Sequence, residues 1–249
     1  MTHPLLYEIN TRAWLRELSG RAGRRVDLAT APEEEFICWR QLGFTHVWLM
    51  GVWTTGARSR RHALAQPALR RRYEEVLPDW QQRHVLGSPY AIGEYRVPEF
   101  MGGMAGLRAF RQRLHERGLK LILDFVPNHL GLDHAWLDER PELFVRSSHR
   151  APNTFRRKTN RGVQWFAHGR DPYFPPWTDT AQLDYRRRAT RSAMIRVLKS
   201  LALVCDGVRC DMAMLGLNEV FERTWGETLK GYPRPETEFW AEAMSRVKA

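Results

Sequence analysis

Cysteine is scarce in this sequence, which has only Cys38, Cys205 and Cys210 among its 249 residues. Three cysteines form no disulfide framework, and their spacing matches no zinc site. No run approaches the roughly 18 apolar residues that a membrane-spanning helix needs, and no basic segment followed by an apolar stretch predicts a signal peptide. These absences predict a cytoplasmic protein with reduced thiols and no membrane partner.

Acidic residues are also in deficit, because 28 Asp and Glu face 39 Lys and Arg, which gives a formal net charge of +11. A basic surplus is typical of proteins that bind nucleic acid. Here the basic residues are spread along the chain, and the short clusters at 58–61, 70–72 and 186–188 lack interleaved aromatic residues. We therefore predict a solvated arginine-rich surface and no nucleic-acid partner.

Five short segments have the composition of strands, and helical patterns lie between them. The predicted strands are Leu5–Asn10, Thr45–Met50, Lys120–Val126, Asp206–Met212 and Glu238–Glu242. The predicted helices cover about 32–43, 104–117, 189–204 and 217–229. Alternation of strand and helix predicts a parallel sheet with right-handed crossovers, which fits both a doubly wound open sheet and a (β/α)8 barrel. No glycine-rich phosphate loop follows the first strand, and this favours the barrel.

Two long insertions interrupt the alternation. Residues 54–87 are basic and are predicted to be helical around Ala68–Val76, whereas residues 130–183 combine Pro, Gly, Asn and aromatic residues. Loops of this length are usually functional lids or small subdomains. We predict a small inserted domain at about 130–183, after the third strand.

Charged residues stand at the carboxyl ends of the last two of these strands. Arg209 and Asp211 share a face because side chains alternate along a strand, and the guanidinium should lower the pKa of Asp211. Glu242 follows Trp240 on the same face, where apolar neighbours should raise its pKa towards that of a general acid. The alternative for the first pattern is an ion pair that merely closes the barrel, and the alternative for the second is an ordinary helix segment.

The third strand ends in Asp124, and Asn128 and His129 follow as the chain turns out. Carboxyl strand ends carry the active site of (β/α)8 barrels. Asp124 alone is also typical of a structural residue at the barrel rim. With His129 close by, the segment predicts a contribution to the same site.

These motifs resemble the α-amylase superfamily, glycoside hydrolase family 13. The segments that carry the resemblance are Tyr7–Asn10, Gly43–Trp53, Gly87–Tyr95, Asp124–His129 and Gly207–Asp211. The resemblance implies a retaining α-glycosidase that acts on α-glucans or maltooligosaccharides. It also implies a (β/α)8 barrel as domain A and a domain B inserted at about 130–183.

The resemblance assigns the catalytic residues. Asp211 would be the nucleophile that forms a covalent β-glucosyl intermediate, and Arg209 would orient it. Glu242 would protonate the leaving oxygen and then activate water, in agreement with double displacement by two carboxyl groups.

The same resemblance assigns residues that bind substrate and metal. Tyr90 would stack beneath the sugar, and His129 would hydrogen-bond to it. Asp124 and Trp53 would belong to the same substrate-binding group, with Asp124 mainly supporting the structure of the site. No cofactor is required. A calcium ion is compatible with Asn128 and Asp184, because Ca²⁺ takes hard oxygen ligands.

The family's further Asn-His-Asp motif does not follow Glu242, and only about five strand–helix units are recognised in 1–249. We therefore expect an incomplete barrel, the N-terminal part of a longer protein that is active only as a complete chain. Two alternatives stay open: a transglycosylase of the same superfamily, and a carbohydrate-binding or partner-binding remnant without catalysis. The sequence does not predict the oligomeric state.

Overall fold

The computed structural model describes residues 3–231 and 233–248, which fold as two compact units. The first unit comprises the described residues of Met1–Thr54, Tyr95–Phe125 and Val197–Cys210. The second comprises those of Thr55–Glu94, Val126–Arg196 and Asp211–Ala249. The units alternate along the sequence because the segments that follow successive strands of the first unit belong to the second.

Strands and helices alternate in chain order. The strands are β1 Leu6–Asn10, β2 His46–Met50, β3 Thr54–Thr55, β4 Ile92–Glu94, β5 Lys120–Phe125, β6 His129–Gly131, β7 Arg146–Ser147, β8 Thr154–Thr159, β9 Gly162–Ala167, β10 Thr180–Gln182 and β11 Gly207–Cys210. The helices are α1 Thr11–Ala22, α2 Glu33–Gln41, α3 Ala57–Ala65, α4 Pro67–Val76, α5 Gly103–Glu116, α6 Trp136–Glu139, α7 Arg188–Ala202, α8 Asn218–Trp225 and α9 Phe239–Lys248.

The first unit is built on a parallel sheet with the strand order β1-β2-β5-β11. Apolar residues face one another across the register, as Ile9 opposite Leu49 and Leu49 opposite Leu123. All three side chains are buried, as continuous apolar strands of a parallel sheet require. The α/β prediction is thus confirmed for the first four predicted strands, while the sheet does not close into a barrel within the described residues.

Helices of the first unit begin and end at residues suited to those positions. Asn10 caps α1 by accepting a hydrogen bond from the Ala13 N–H at 3.4 Å, and Gly23 ends that helix with a φ of 63°. Three acidic residues occupy the first turn of α2, where the helix dipole favours them. The two helices α2 and α5 meet through Phe36 and Phe110, whose ring centroids are 5.0 Å apart.

The predicted fifth strand is wrong, because residues 239–248 form helix α9. Phe239 and Ala243 are buried one helical turn apart, and the Trp240 indole N–H donates to the Ala213 carbonyl at 2.9 Å. A helix satisfies its main-chain groups within the segment, whereas a strand needs a neighbouring strand. The apolar pattern of these few residues fits both the two-residue period of a strand and the 3.6-residue period of a helix. The burial of residues four positions apart shows that the helical period applies.

The second unit contains small antiparallel sheets within the predicted insertion. Strand β10 pairs with β6, and β9 lies between β7 and β8. Phe166 packs against Phe144 and Phe155, with ring centroids 5.9 and 5.7 Å away. The expected helical segment at Ala68–Val76 is α4. None of the helices in the described residues is both long and apolar enough to cross a bilayer.

Asp206 ties elements of the first unit together just before β11. One carboxylate oxygen accepts from Arg111 at 2.6 Å, and the other accepts from the Leu121 N–H at 2.7 Å and contacts the His115 ring at 2.8 Å. Burial raises the pKa of Asp206, but these hydrogen bonds outweigh it, so the net pKa is lowered. The residue precedes the strand, where barrel proteins place groups that stabilise the fold.

His134 is a buried histidine of the second unit. Its side chain is 8% exposed, and its Nδ1 accepts from the Trp136 N–H at 3.2 Å. Burial lowers its pKa from 6.5 to about 4. The native protein therefore resists protonation of a group that the unfolded chain protonates below pH 6.5.

We expect Asp206→Asn to lower the free energy of unfolding by about 2 kcal/mol at pH 7, because it removes the charge that Arg111 and the Leu121 N–H face. Since the folded pKa is lowered, this stabilisation is present above pH of about 4 and is lost as the pH falls further. Urea unfolding measures it. Glu116→Gln removes an exposed carboxylate of α5 and should leave stability unchanged; an equal loss in both variants would contradict this role.

Acid should destabilise the second unit through His134. Between pH 6.5 and about 4 the unfolded chain gains a proton that native His134 excludes, which costs up to about 3 kcal/mol. In His134→Asn the amide oxygen can still accept from Trp136, but the proton-binding group is gone. Urea midpoints at pH 7 and pH 4.5 should therefore differ less in this variant than in the wild type. The exposed His149→Asn serves as control, and an undiminished pH dependence in His134→Asn would refute the prediction.

Candidate active site

Asp124 is the buried centre of the predicted site residues in the first unit. It is 1% exposed, and its two carboxylate oxygens accept from the Trp48 indole at 3.0 Å and from the Gly51 N–H at 2.7 Å. Gly51 can present its N–H because its φ is 73°, a region that favours glycine. Both carboxylate oxygens therefore accept hydrogen bonds from the protein, and this geometry favours a role in supporting the structure of the site over contact with substrate.

Trp53 shares this arrangement. Its indole N–H donates to the Asp124 carbonyl at 2.7 Å, and the side chain is only 1% exposed. The ring packs edge-on against Tyr95, with centroids 5.6 Å apart. Buried in this way, Trp53 offers almost no face to a sugar, so its geometry favours holding the Asp124 segment rather than contacting substrate.

Arg209 lies on β11, opposite Asp124 in the register with β5. Its guanidinium lies 5.2 Å from the centroid of the Trp48 ring, a cation–π distance. Asp124 and Arg209 are thus both next to Trp48 in the first unit. The predicted pairing of Arg209 with Asp211 stays a prediction.

The second unit brings His129, Tyr90 and Asp211 together. The His129 imidazole hydrogen-bonds to the Tyr90 main chain and lies within electrostatic range of Asp211. Asp211 is 7% exposed, and Met212 after it has a φ of 49°, a left-handed conformation that a side chain rarely adopts. Trp177 also packs against His129, with ring centroids 5.0 Å apart.

His129 is held neutral by burial. Desolvation lowers its pKa, and it outweighs the nearby charges of Asp211 and Asp179 and the hydrogen bond to Tyr90, all of which favour the protonated form. The ring is only 3% exposed. The Asn128 side-chain amide also lies 3.3 Å from the His129 Nδ1. A neutral imidazole adds no full positive charge near the Asp211 carboxylate.

Glu242 occupies a different setting from the predicted one. It lies in the first turn of α9, where one oxygen accepts from Arg191 at 2.9 Å and the other from Arg246 at 3.0 Å. Burial raises its pKa, but the two arginines outweigh burial and the net pKa is lowered. The predicted rise is therefore wrong for this arrangement, because sequence reasoning counted the apolar neighbours and missed Arg191.

The two residues considered for calcium are already engaged. The Asn128 Oδ1 accepts from the Gln182 amide at 3.0 Å, and Asp184 accepts from Arg187 at 2.8 Å. Burial raises the pKa of Asp184 and outweighs that pair. Among the described residues no three His, Cys, Asp or Glu side chains group as metal ligands. These donors do not fit a calcium ion as arranged.

Sequence reasoning missed Gln182 and Arg191. Gln182 is fully buried, and its amide donates to both the Asn128 carbonyl at 2.9 Å and the Asn128 side chain. Arg191 donates to the Thr237 carbonyl at 2.6 Å in addition to Glu242. An isolated Gln or Arg gives no local sequence pattern that marks it as part of a site. For Gln182 the nearest signal is its position two residues before Asp184, and Arg191 has none.

The comparisons with known proteins support the motif pattern. The model of the alpha-amylase catalytic domain matches residues 39–216. The chain belongs to the alpha-amylase family. The matched segment includes Trp53, Tyr90, Asp124, His129 and Asp211, and ends before Glu242.

Curated relatives include family enzymes from bacteria and archaea. A probable oligo-1,6-glucosidase 2 from Bacillus subtilis is 30% identical over 134 residues, which are 48% of this chain and 24% of the relative. Alpha-amylase MalA from Haloarcula japonica is 24% identical over 135 residues, which are 52% of this chain and 19% of the relative. The matched part of the chain thus spans about a quarter or less of these relatives.

Solved structures of the family share the fold. An alpha-amylase from Lactobacillus plantarum superposes with a TM-score of 0.62 at 24% identity, covering 98% of this chain and 42% of that protein. A maltogenic alpha-amylase from Thermotoga neapolitana gives a TM-score of 0.59 at 21% identity, covering 98% and 43%. Both likenesses support the α/β fold of an alpha-amylase domain.

We expect Arg191→Gln to raise the pKa of Glu242. The substitution removes the more buried of its two arginine partners, so the opposing effect of burial, which favours the neutral carboxyl group, is less fully offset. Arg246→Gln is the matched variant and should raise it less, since Arg246 is 43% exposed and Arg191 only 5%. Carbon-13 NMR titration of the Glu242 carboxyl measures both values. Equal shifts in the two variants would show that Arg191 does not control this group.

Proposed function

We propose that this protein is a retaining α-glycosidase that acts on α-glucans or maltooligosaccharides through a covalent glycosyl-enzyme. The observation that carries the proposal is that the buried Asp211 lies within electrostatic range of His129, whose buried ring hydrogen-bonds to the Tyr90 main chain. The family match over residues 39–216 and the names of the relatives, oligo-1,6-glucosidase and alpha-amylase, support α-linked oligosaccharides as substrate. The activity belongs to the complete protein, and we place it in the cytoplasm.

In the first half-reaction an oxygen of Asp211 attacks the anomeric carbon while Glu242 gives its proton to the leaving glycosidic oxygen. In the second, Glu242 takes a proton from water, and that water displaces Asp211 from the sugar. Net retention follows from the two displacements, which require the carboxyl groups to lie about 5–5.5 Å apart. Arg209, two positions before Asp211 in the sequence, would orient the nucleophile.

Neutral groups would bind the sugar. His129 would exchange hydrogen bonds with hydroxyl groups, and the Tyr90 ring would contact the apolar face of the pyranose. Asp124 and Trp53 would act indirectly by holding the segments after β2 and β5. A transglycosylase would use the same residues, with a sugar hydroxyl in place of water in the second step.

Sugar binding without cleavage is the second candidate function. It is favoured by the surroundings of Glu242, whose ion pairs with Arg191 and Arg246 lower its pKa. A general acid at neutral pH needs a raised pKa instead. Catalysis therefore requires Glu242 to exchange the Arg191 contact for less polar surroundings, whereas binding alone does not.

We expect Asp211→Asn to abolish turnover of maltooligosaccharides in the complete protein, because an amide cannot form the covalent intermediate. Glu242→Gln should slow turnover by about 10²–10⁴-fold, the usual contribution of general acid–base catalysis. Release of reducing sugar measures turnover, and calorimetry should still detect sugar binding in both variants.

Glu116→Gln, which changes an exposed carboxylate of α5, is the control and should keep full activity. Turnover like that of the wild type in Asp211→Asn would refute the proposed nucleophile. A wild-type protein that binds maltooligosaccharides and neither hydrolyses nor transfers them would establish the second candidate instead.

A further inference from the structure

The second unit contains a basic cleft that none of the proposed catalytic or sugar-binding residues lines. Its volume is about 820 Å³, and among the described residues that line it the acidic ones are Glu222 and Glu227. The basic residues that line it are Arg170, Arg186, Arg223, Lys230 and Arg234. Cationic side chains in excess around a concave surface attract anions.

The charges in this cleft are unevenly paired. Glu222 binds Arg186, and Glu227 binds Lys230, so both carboxylates are already engaged. Arg223 pairs with the exposed Glu219 at 3.3 Å, and within residues 3–231 and 233–248 no carboxylate pairs with Arg170 or Arg234. The cleft therefore keeps positive charge that the protein itself does not neutralise.

Neutral groups hold Arg170 in place. Its guanidinium lies 4.5 Å from the Trp225 ring centroid and donates to the Thr224 carbonyl at 2.7 Å. The Nε–H is buried and has no hydrogen-bond partner in the described part of the chain. A cation that is oriented by a ring and a carbonyl, and that uses only one of its five N–H donors on the described residues, is prepared for an anionic acceptor.

An aromatic cleft of about 420 Å³ adjoins the basic one and shares Arg170, Arg223 and Thr224 with it. Tyr173 and Phe174 line it and are 75% and 70% exposed. Asp171 also lines this cleft, and its Oδ1 accepts hydrogen bonds from the main-chain N–H groups of Tyr173 and Phe174 at 2.6 and 2.9 Å. The aromatic side chains are thus presented to solvent by a turn that the chain fixes locally.

We propose that the two clefts form one site for a phosphorylated sugar. The phosphate would lie among Arg170, Arg223 and Arg234, since guanidinium groups bind phosphate oxygens in pairs. The apolar face of the pyranose would lie on Phe174 and Tyr173, as sugar rings do on aromatic side chains. The site does not depend on glycosidase activity, and binding to it can be measured without turnover.

The test is calorimetric titration of the complete protein, carrying Asp211→Asn to prevent turnover, with glucose 6-phosphate, glucose and inorganic phosphate. Glucose 6-phosphate should bind more tightly than either other probe, and its affinity should fall as salt is raised. Arg234→Gln should weaken glucose 6-phosphate about tenfold and leave glucose unchanged. Phe174→Ala should weaken glucose 6-phosphate about fivefold and leave inorganic phosphate unchanged.

Both substituted residues are exposed, and thermal unfolding checks that the variants remain folded. Arg71→Gln removes an equal charge from α4 outside the cleft and should change none of the three affinities. Equal weakening by Arg71→Gln and Arg234→Gln would overturn the proposal in favour of general charge attraction. Phosphate binding as tightly as glucose 6-phosphate, with no effect of Phe174→Ala, would also overturn it.

Discussion

The first unit depends on a buried carboxylate that has both of its oxygens satisfied. A carboxylate as enclosed as Asp124 would be strongly destabilising without donors, because burial removes its hydration. The Trp48 indole and the Gly51 N–H supply those donors from β2 and from the turn that follows it. The ends of β2 and β5 are thereby fixed to each other at the edge where barrel enzymes carry their chemistry.

In the second unit, buried polar groups are satisfied by side-chain amides instead of by donors to a carboxylate. Gln182 donates to the main chain and to the side chain of Asn128, so the segment that leads into His129 is held by neutral hydrogen bonds. His129 is then buried as a neutral ring beside Asp211. This arrangement adds no positive charge from the His129 ring to the surroundings of Asp211.

Short-range patterns predicted the parts of the fold that short-range physics controls. The apolar runs at β1, β2, β5 and β11 could be read directly, because strands covered on both faces need continuous apolar sequence. Residues 238–242 were assigned to a strand because their pattern fits two periods, and the burial that decides between them is a tertiary property. The small sheet of β7, β8 and β9 was missed, since its strands carry charged residues and lack a strict alternation.

By itself, the sequence determined the family and the four strands of the parallel sheet, and it singled out Asp124, His129 and Asp211 as candidates, because each is encoded in a few consecutive residues. Only the tertiary structure decided the ionisation of Glu242, since Arg191 is 51 positions away along the chain and yet donates to its carboxylate. The burial of Trp53 against Asp124 and the proximity of the arginines in the basic cleft are likewise properties of the tertiary structure. Electrostatic and packing energies depend on distances in space, which a linear pattern does not contain.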